Sequence, residues 1–246
     1  MIRLDWTFLG RLAYRTALRL QYGHARKVTA GAGPLLFLME HPPTVTLGRH
    51  ADPSHLKLKI EEFVRRGIEV HRVKRGGDVT YHGPGQLVGY PVASLDSAAC
   101  TLNTSRTAKG AAVPGWVGGH ARAIVGFLRN HGIDAEWSPG APGVWVGREK
   151  IAALGFHISR RVSTHGFALN LDPDLSNFDT IIPCGLRDRG VTSMRALGAQ
   201  VPSMENAAAE IAGLVAKAFG WSLGAAQPAD RILNEFEDPS HLRVAS

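Results

Sequence analysis

Only two cysteines, Cys100 and Cys184, occur in 246 residues. That number excludes a disulfide scaffold and a zinc site built on four thiolates. Charged residues make up 20% of the chain, below the usual figure of about 25%. No segment approaches the roughly 18 consecutive apolar residues of a membrane span, and the N-terminus has no apolar core of a secretory signal. It is rich in Arg and poor in acids, as a transit peptide is, but it is also poor in Ser. These absences together lead us to expect a reduced, cytoplasmic protein without a membrane segment. No internal repeat is visible.

What is present is 44% hydrophobic residues, 28 glycines and 14 prolines. A chain of this length buries about 70–75% of the surface its unfolded form exposes, so one domain over 1–246, or at most two small ones, is expected. The net charge of +7 is unevenly placed. Residues 1–95 hold ten Arg and four Lys against seven carboxylates, whereas the remainder is balanced. An anionic partner suits that excess, although an Arg-biased solvated surface fits it equally well. Nucleic acid is a poor candidate, because a single-strand platform needs aromatics interleaved with the cations and the aromatics here are scattered.

Periodicity predicts an amphipathic helix over Thr7–Tyr22 and strands at Leu35–Glu40 and Thr44–Gly48. A short helix over Ile60–Arg66 ends at Gly67, followed by strands at Ile68–Val73 and Leu87–Ala93. Residues 94–119 read as a mobile loop of small residues, ahead of a helix at Ala121–His131 that Gly132 stops. Gly143–Leu171 is strand-like. A last helix covers Met204–Phe219 with Ser203 as its N-cap, and 221–246 reads as a C-terminal tail. Strands and helices mix without regular alternation, which indicates the α+β class.

Three stretches carry chemistry. Arg75-Gly76-Gly77-Asp78-Val79-Thr80-Tyr81-His82-Gly83-Pro84-Gly85-Gln86 has four glycines and a proline in twelve residues. Such backbone can approach a ligand closely and offer amide donors. It lacks the Gly-Lys-Ser/Thr ending of a P-loop, and by residue types alone it also fits a tight turn around a buried histidine. Lys150 heads the apolar run Ile151-Ala152-Ala153-Leu154-Gly155. Apolar surroundings disfavour the charged form of a lysine, while the same pattern fits a lysine snorkelling at a strand edge. Cys184 lies between Pro183 and Gly185 at a turn, where a thiol can be exposed; buried packing is the alternative.

Together these stretches resemble one family. The glycine motif is joined by Glu40-His41-Pro42-Pro43, Thr46-Leu47-Gly48, His165-Gly166-Phe167-Ala168-Leu169-Asn170, Ile182-Pro183-Cys184-Gly185-Leu186 and Val191-Thr192-Ser193-Met194. In that register they are similar to the lipoyl(octanoyl) transferases over roughly 4–220, with residues 96–119 atypical and Asp78 standing where Gln is common. The resemblance implies a mixed central β-sheet flanked by helices plus a smaller sheet, the fold of biotin and lipoate protein ligase catalytic domains. It implies an acyltransferase that moves octanoate from acyl carrier protein to a lysine of lipoyl domains, in E2 subunits of 2-oxo-acid dehydrogenases and in the glycine-cleavage H protein. No metal and no cofactor is expected beyond the carrier's phosphopantetheine. Cys184 would be the nucleophile and Lys150 its partner. Arg75, Gly76, Gly77, Asp78, Val79, Thr80, Tyr81 and His82 would line the acyl pocket, with Ala153, Leu154, Gly155, Gly166, Phe167 and Ala168. His82 would orient groups, shuttle protons or serve the structure. The basic N-terminal region, Arg49 and Arg75 included, would dock the acidic partners. An ATP-dependent lipoate or biotin ligase is the alternative on the same fold.

Overall fold

The computed structural model describes residues 1–98, 112–138, 143–182 and 189–237. Cys100 and Cys184 lie outside these ranges, as do residues 99–111, half of the expected 94–119 loop, and the last nine residues. Twelve strands form two sheets among the described residues. The larger sheet has β1 (Arg3–Arg11), β2 (Leu35–Glu40), β6 (Gln86–Val92), β10 (Val162–Asn170) and β9 (Glu149–Ser159) at its centre. Its edges are β12 (Ser222–Ala226) beside β1, and β8 (Val144–Val146) and β7 (Glu136–Trp137) beyond β9, with β11 (Gly190–Val191) also paired to β9. The smaller sheet is β4–β3–β5, made of Glu69–Arg72, Thr44–Leu47 and Val79–His82.

Every residue of β6 and β10 is buried, because helices cover both faces of the large sheet. On one side α4 (Ala112–Asn130) and α5 (Met204–Ala218) pack over Leu36, Leu38, Leu87, Phe167 and Leu169. On the other, α1 (Tyr14–Thr29) and α6 (Ala229–Glu237) meet Phe37, Met39, Val88 and Tyr90. A strand covered on both faces loses the polar alternation of a half-exposed one, as Leu35-Leu36-Phe37-Leu38-Met39 shows. Ser203 caps α5 by accepting the Asn206 amide at 3.2 Å, which satisfies one otherwise unpaired donor of its first turn. The α+β class read from the sequence pattern and the two-sheet architecture implied by the resemblance are those observed.

Three local expectations need correction. Residues 3–11 form a strand, and the first helix starts at Tyr14 rather than Thr7. Leu4, Thr7 and Leu9 are buried along it, and its hydrogen bonds come from β2 and β12, the latter more than 200 residues away in sequence. Local periodicity cannot register such partners. Second, residues 112–119 belong to α4, and Leu95–Ala98 form a short helix, α3. One of the glycines that suggested a loop serves packing: a Cβ on Gly119 would stand 2.4 Å from Phe219 Cζ. Third, the presumed tail supplies β12 and α6, with Trp221 and Ile232 buried.

Candidate active site

A cavity of about 400 Å³ opens where the glycine loop, β5, β9, β10 and the start of α1 converge. The loop from Arg75 to Asp78 is held from both sides. His50 N donates to Gly77 O at 3.2 Å and Arg49 N to Arg75 O at 3.0 Å, while Gly76 N donates to Phe156 O at 2.9 Å. The loop lies so close to β9 that a Cβ on Gly155 would come within 2.9 Å of Gly76 O. Glycine at both positions lets the backbone form the cavity wall.

From the loop and β5, Arg75, Gly76, Gly77, Asp78, Val79, Thr80 and His82 reach the cavity. From β9 come Lys150, Ala153, Leu154 and Gly155, and from β10 Gly166, Phe167 and Ala168. Tyr81 is placed elsewhere. Strand alternation turns its ring into the core of the small sheet, edge-on to Phe178 with centroids 5.4 Å apart. Cys184 falls outside the described residues.

Lys150 is buried at 7% exposure, and its Nζ lies 4.8 Å from the centroid of the Trp145 ring. A cation over an indole face gains electrostatic attraction that partly offsets its desolvation. Gly143 makes room for it, since a Cβ there would meet Lys150 Cε at 2.8 Å. Arg75 is also buried, at 8% exposure. Its Nε donates to Thr46 Oγ1 at 3.0 Å and Nη2 to Thr46 O at 2.5 Å. The guanidinium thus ties the loop to β3 and cannot serve as a docking cation on the surface, which corrects that part of the charge argument. Arg49 is exposed.

His82 is fixed as a neutral imidazole. Gln86 Nε2 donates to Asn170 Oδ1 at 2.9 Å and to Tyr81 O at 3.3 Å. Gln86 Oε1 therefore faces His82 Nδ1, 2.8 Å away, and an amide oxygen only accepts, so the proton sits on Nδ1. Burial, then the neighbouring His41 and the Arg75 charge, push its pKa down to about 3.

Four further residues line the cavity without a prediction from sequence: Tyr14, His50, Tyr90 and His165. His165 adjoins the predicted Gly166 and adopts a positive φ of 56°, a conformation that costs a non-glycine residue roughly 1–3 kcal/mol. Its amide donates to Gln21 Oε1 at 2.7 Å, yet both ring nitrogens are buried without a hydrogen-bond partner among the described residues. Burial lowers its pKa to about 3. Tyr14 and Tyr90 came from separate parts of the chain, and only the packing of α1 against β6 reveals them.

A loop-walled apolar cavity with one buried lysine, on a mixed sheet beside a smaller one, defines the class as a lipoyl protein ligase type of catalytic domain. The model of the lipoyl protein ligase A/B catalytic domain family matches residues 13–215, and the chain belongs to that family. Curated relatives named octanoyltransferase include one from Acidobacterium capsulatum, 43% identical over 78% of this chain and 79% of its own length. Another, from Chloroflexus aggregans, is 43% identical over 85% of this chain and 91% of its own. With such relatives over most of its length, the chain is an enzyme of the acyltransferase class. Among solved structures, a putative lipoate protein ligase from T. acidophilum with bound lipoic acid superposes with a TM-score of 0.71 at 16% identity. It covers 96% of this chain and 95% of its own, and it speaks for the fold alone.

Proposed function

We propose that this enzyme moves an octanoyl group from acyl carrier protein to a lysine ε-amine of lipoyl domains, in E2 subunits and the H protein, through a thioester on Cys184. The observation that carries this reading is the burial of Lys150 in the wall of an apolar cavity. Val79, Leu154, Phe167 and Ala168 give a medium-chain acyl group the apolar contact it needs, and a cavity of about 400 Å³ accommodates it. The relatives named octanoyltransferase support the choice of acyl group.

In the first half-reaction the Cys184 thiolate attacks the donor thioester carbon. The new C–S bond forms, the bond to the pantetheine sulfur breaks, and that sulfur leaves as a thiol with the proton of the Lys150 ammonium, which becomes the neutral amine. Thiolate and leaving group are chemically alike, so the exchange is close to balanced. A cationic Lys150 favours the thiolate. In the second half-reaction the acceptor amine attacks the Cys184 thioester, the amide bond forms and the C–S bond breaks. Neutral Lys150 takes the amine proton as the Cys184 thiolate departs, which restores the lysine ammonium beside the thiolate. A positioned base of this kind contributes about 10²–10⁴-fold. Backbone amides of the glycine loop suit the oxyanion, a contact worth about 3–4 kcal/mol elsewhere. No cofactor enters.

The test is mass spectrometry of the enzyme mixed with octanoyl-carrier protein. An octanoyl adduct on Cys184 that passes to a lipoyl domain is expected, and Cys184→Ala should form none. Normal transfer by Cys184→Ala would overturn the mechanism. ATP consumption with free octanoate, and no adduct, would establish a ligase instead.

A further inference from the structure

Asp78 lies in the wall of the cavity, yet both its carboxylate oxygens are held by one neighbouring segment. Oδ2 accepts from His55 Nδ1 at 2.5 Å, and Oδ1 accepts from the Asp52 amide at 3.2 Å. That segment is itself braced. Asp52 Oδ1 accepts the Ser54 amide at 2.8 Å, and His55 N donates back to Asp52 O at 3.0 Å, closing the 3-10 turn Pro53–His55. On its far side, His55 O accepts from Ile182 N at 2.8 Å, and Lys57 N donates to Thr180 O at 3.0 Å. Leu56 and Ile181 pair as an antiparallel bridge between these bonds. In sequence, Cys184 follows Ile182 by two residues.

A continuous path of hydrogen bonds thus runs from the cavity wall through Asp78 and His55 to the backbone that leads to Cys184. An exposed Asp–His pair would contribute little. Here the side chains are only 13% and 23% exposed, and each partner is fixed by further bonds. We propose that Asp78 and His55 form a positioning pair, which ties residues 180–182 to the cavity wall at Asp78 and thereby sets the rate at which Cys184 is acylated. The pair touches no reacting atom. Its effect is geometric, in the way a displacement of about 1 Å costs an enzyme up to about a hundredfold. The inference rests on the nucleophilic role of Cys184.

The experiment is rapid-quench mass spectrometry of the Cys184 adduct, with octanoyl-N-acetylcysteamine as donor so that carrier docking plays no part. His55→Ala and Asp78→Ala should each slow acylation at saturating donor by about 10–100-fold, and His55→Ala, whose side chain is not part of the cavity wall, should leave KM unchanged. The double variant should be no slower than either single one, because both remove the same link. His55→Asn keeps a donor close to the position of Nδ1 and should recover most of the rate. Wild-type rates in both alanine variants, a loss confined to KM, or no recovery in His55→Asn would each overturn the pair's role. If the unmodified enzyme forms no adduct on Cys184, the catalytic reading fails first, and that outcome is visible before any variant is made.

Discussion

Gln86 Nε2 donates to Asn170 Oδ1 at 2.9 Å and so joins the last residue of the glycine motif to the end of β10. The link extends both ways. Gln86 Oε1 accepts from His82, and Asn170 Nδ2 donates to Thr192 O at 2.9 Å, whose amide donates to Lys150 O at 3.0 Å. The cavity wall and the lysine backbone therefore share one buried polar network. Gln86→Leu should leave His82 and Asn170 each with an unpaired group, at about 1–3 kcal/mol apiece. A lower Tm in thermal unfolding checks this, at roughly 2–4 °C per kcal/mol for a chain of this size. An unchanged Tm would show that the network carries no stability.

Gly155→Ala probes the loop rather than the core. Its methyl group would meet Gly76 O at 2.9 Å and Arg75 Cδ at 3.4 Å, so the loop must retreat. Transfer of octanoate should fall by about tenfold or more, while overpacking costs about 1–3 kcal/mol of stability. Steady-state transfer beside thermal unfolding separates the two effects.

Arg49 and Arg75 should behave differently, although they are near each other in sequence. Arg49 is exposed and Arg75 is buried against Thr46. Arg49→Glu should raise KM for octanoyl-carrier protein more than for a small thioester, and added salt should narrow that gap. Equal losses for both donors would count against docking at this position. Arg75→Ala should impair both donors alike and lower Tm, because it removes the tie between the loop and β3.

Acid should destabilise the fold through its histidines. Burial holds His82, His120 and His165 down to about 3 and His41 to about 4, against an ordinary value of 6.5. Between those values the unfolded chain binds protons that the folded one refuses, so stability rises with pH across that window. It is fully present above about pH 6.5 and falls as the pH drops toward 4 and 3, at up to about 1.4 kcal/mol per pH unit for each histidine. Denaturant unfolding at pH 7.5, 6 and 5 measures the slope. A flat profile would show that these side chains ionise in place.

The strands β2, β3 and β6, the end of α4 and nearly all of α5 were legible because each carries its own signal: β-branched or apolar runs, a stop at Gly132, a cap at Ser203. Most of the cavity residues were legible only through the resemblance to a known family, since the residue types of the glycine motif and of the run after Lys150 also fit a tight turn and a strand edge. Tyr81 was misplaced in the cavity lining because residues 79–82 were not read as a strand; alternation in β5 sets it opposite Thr80 and His82.

By itself, then, the sequence determined the fold class, the secondary elements with local periodicity and the residue types to which we assign the chemistry. These depend on neighbours a few positions away. Tertiary structure alone decided that residues 3–11 are a strand, that Gly118 and Gly119 lie in a helix, that Arg75 is buried, and that Tyr14, Tyr90 and His165 share a cavity with Lys150. Each of these follows from long-range pairing or packing: a strand needs a partner to accept its hydrogen bonds, and a cavity is the space left when distant elements meet.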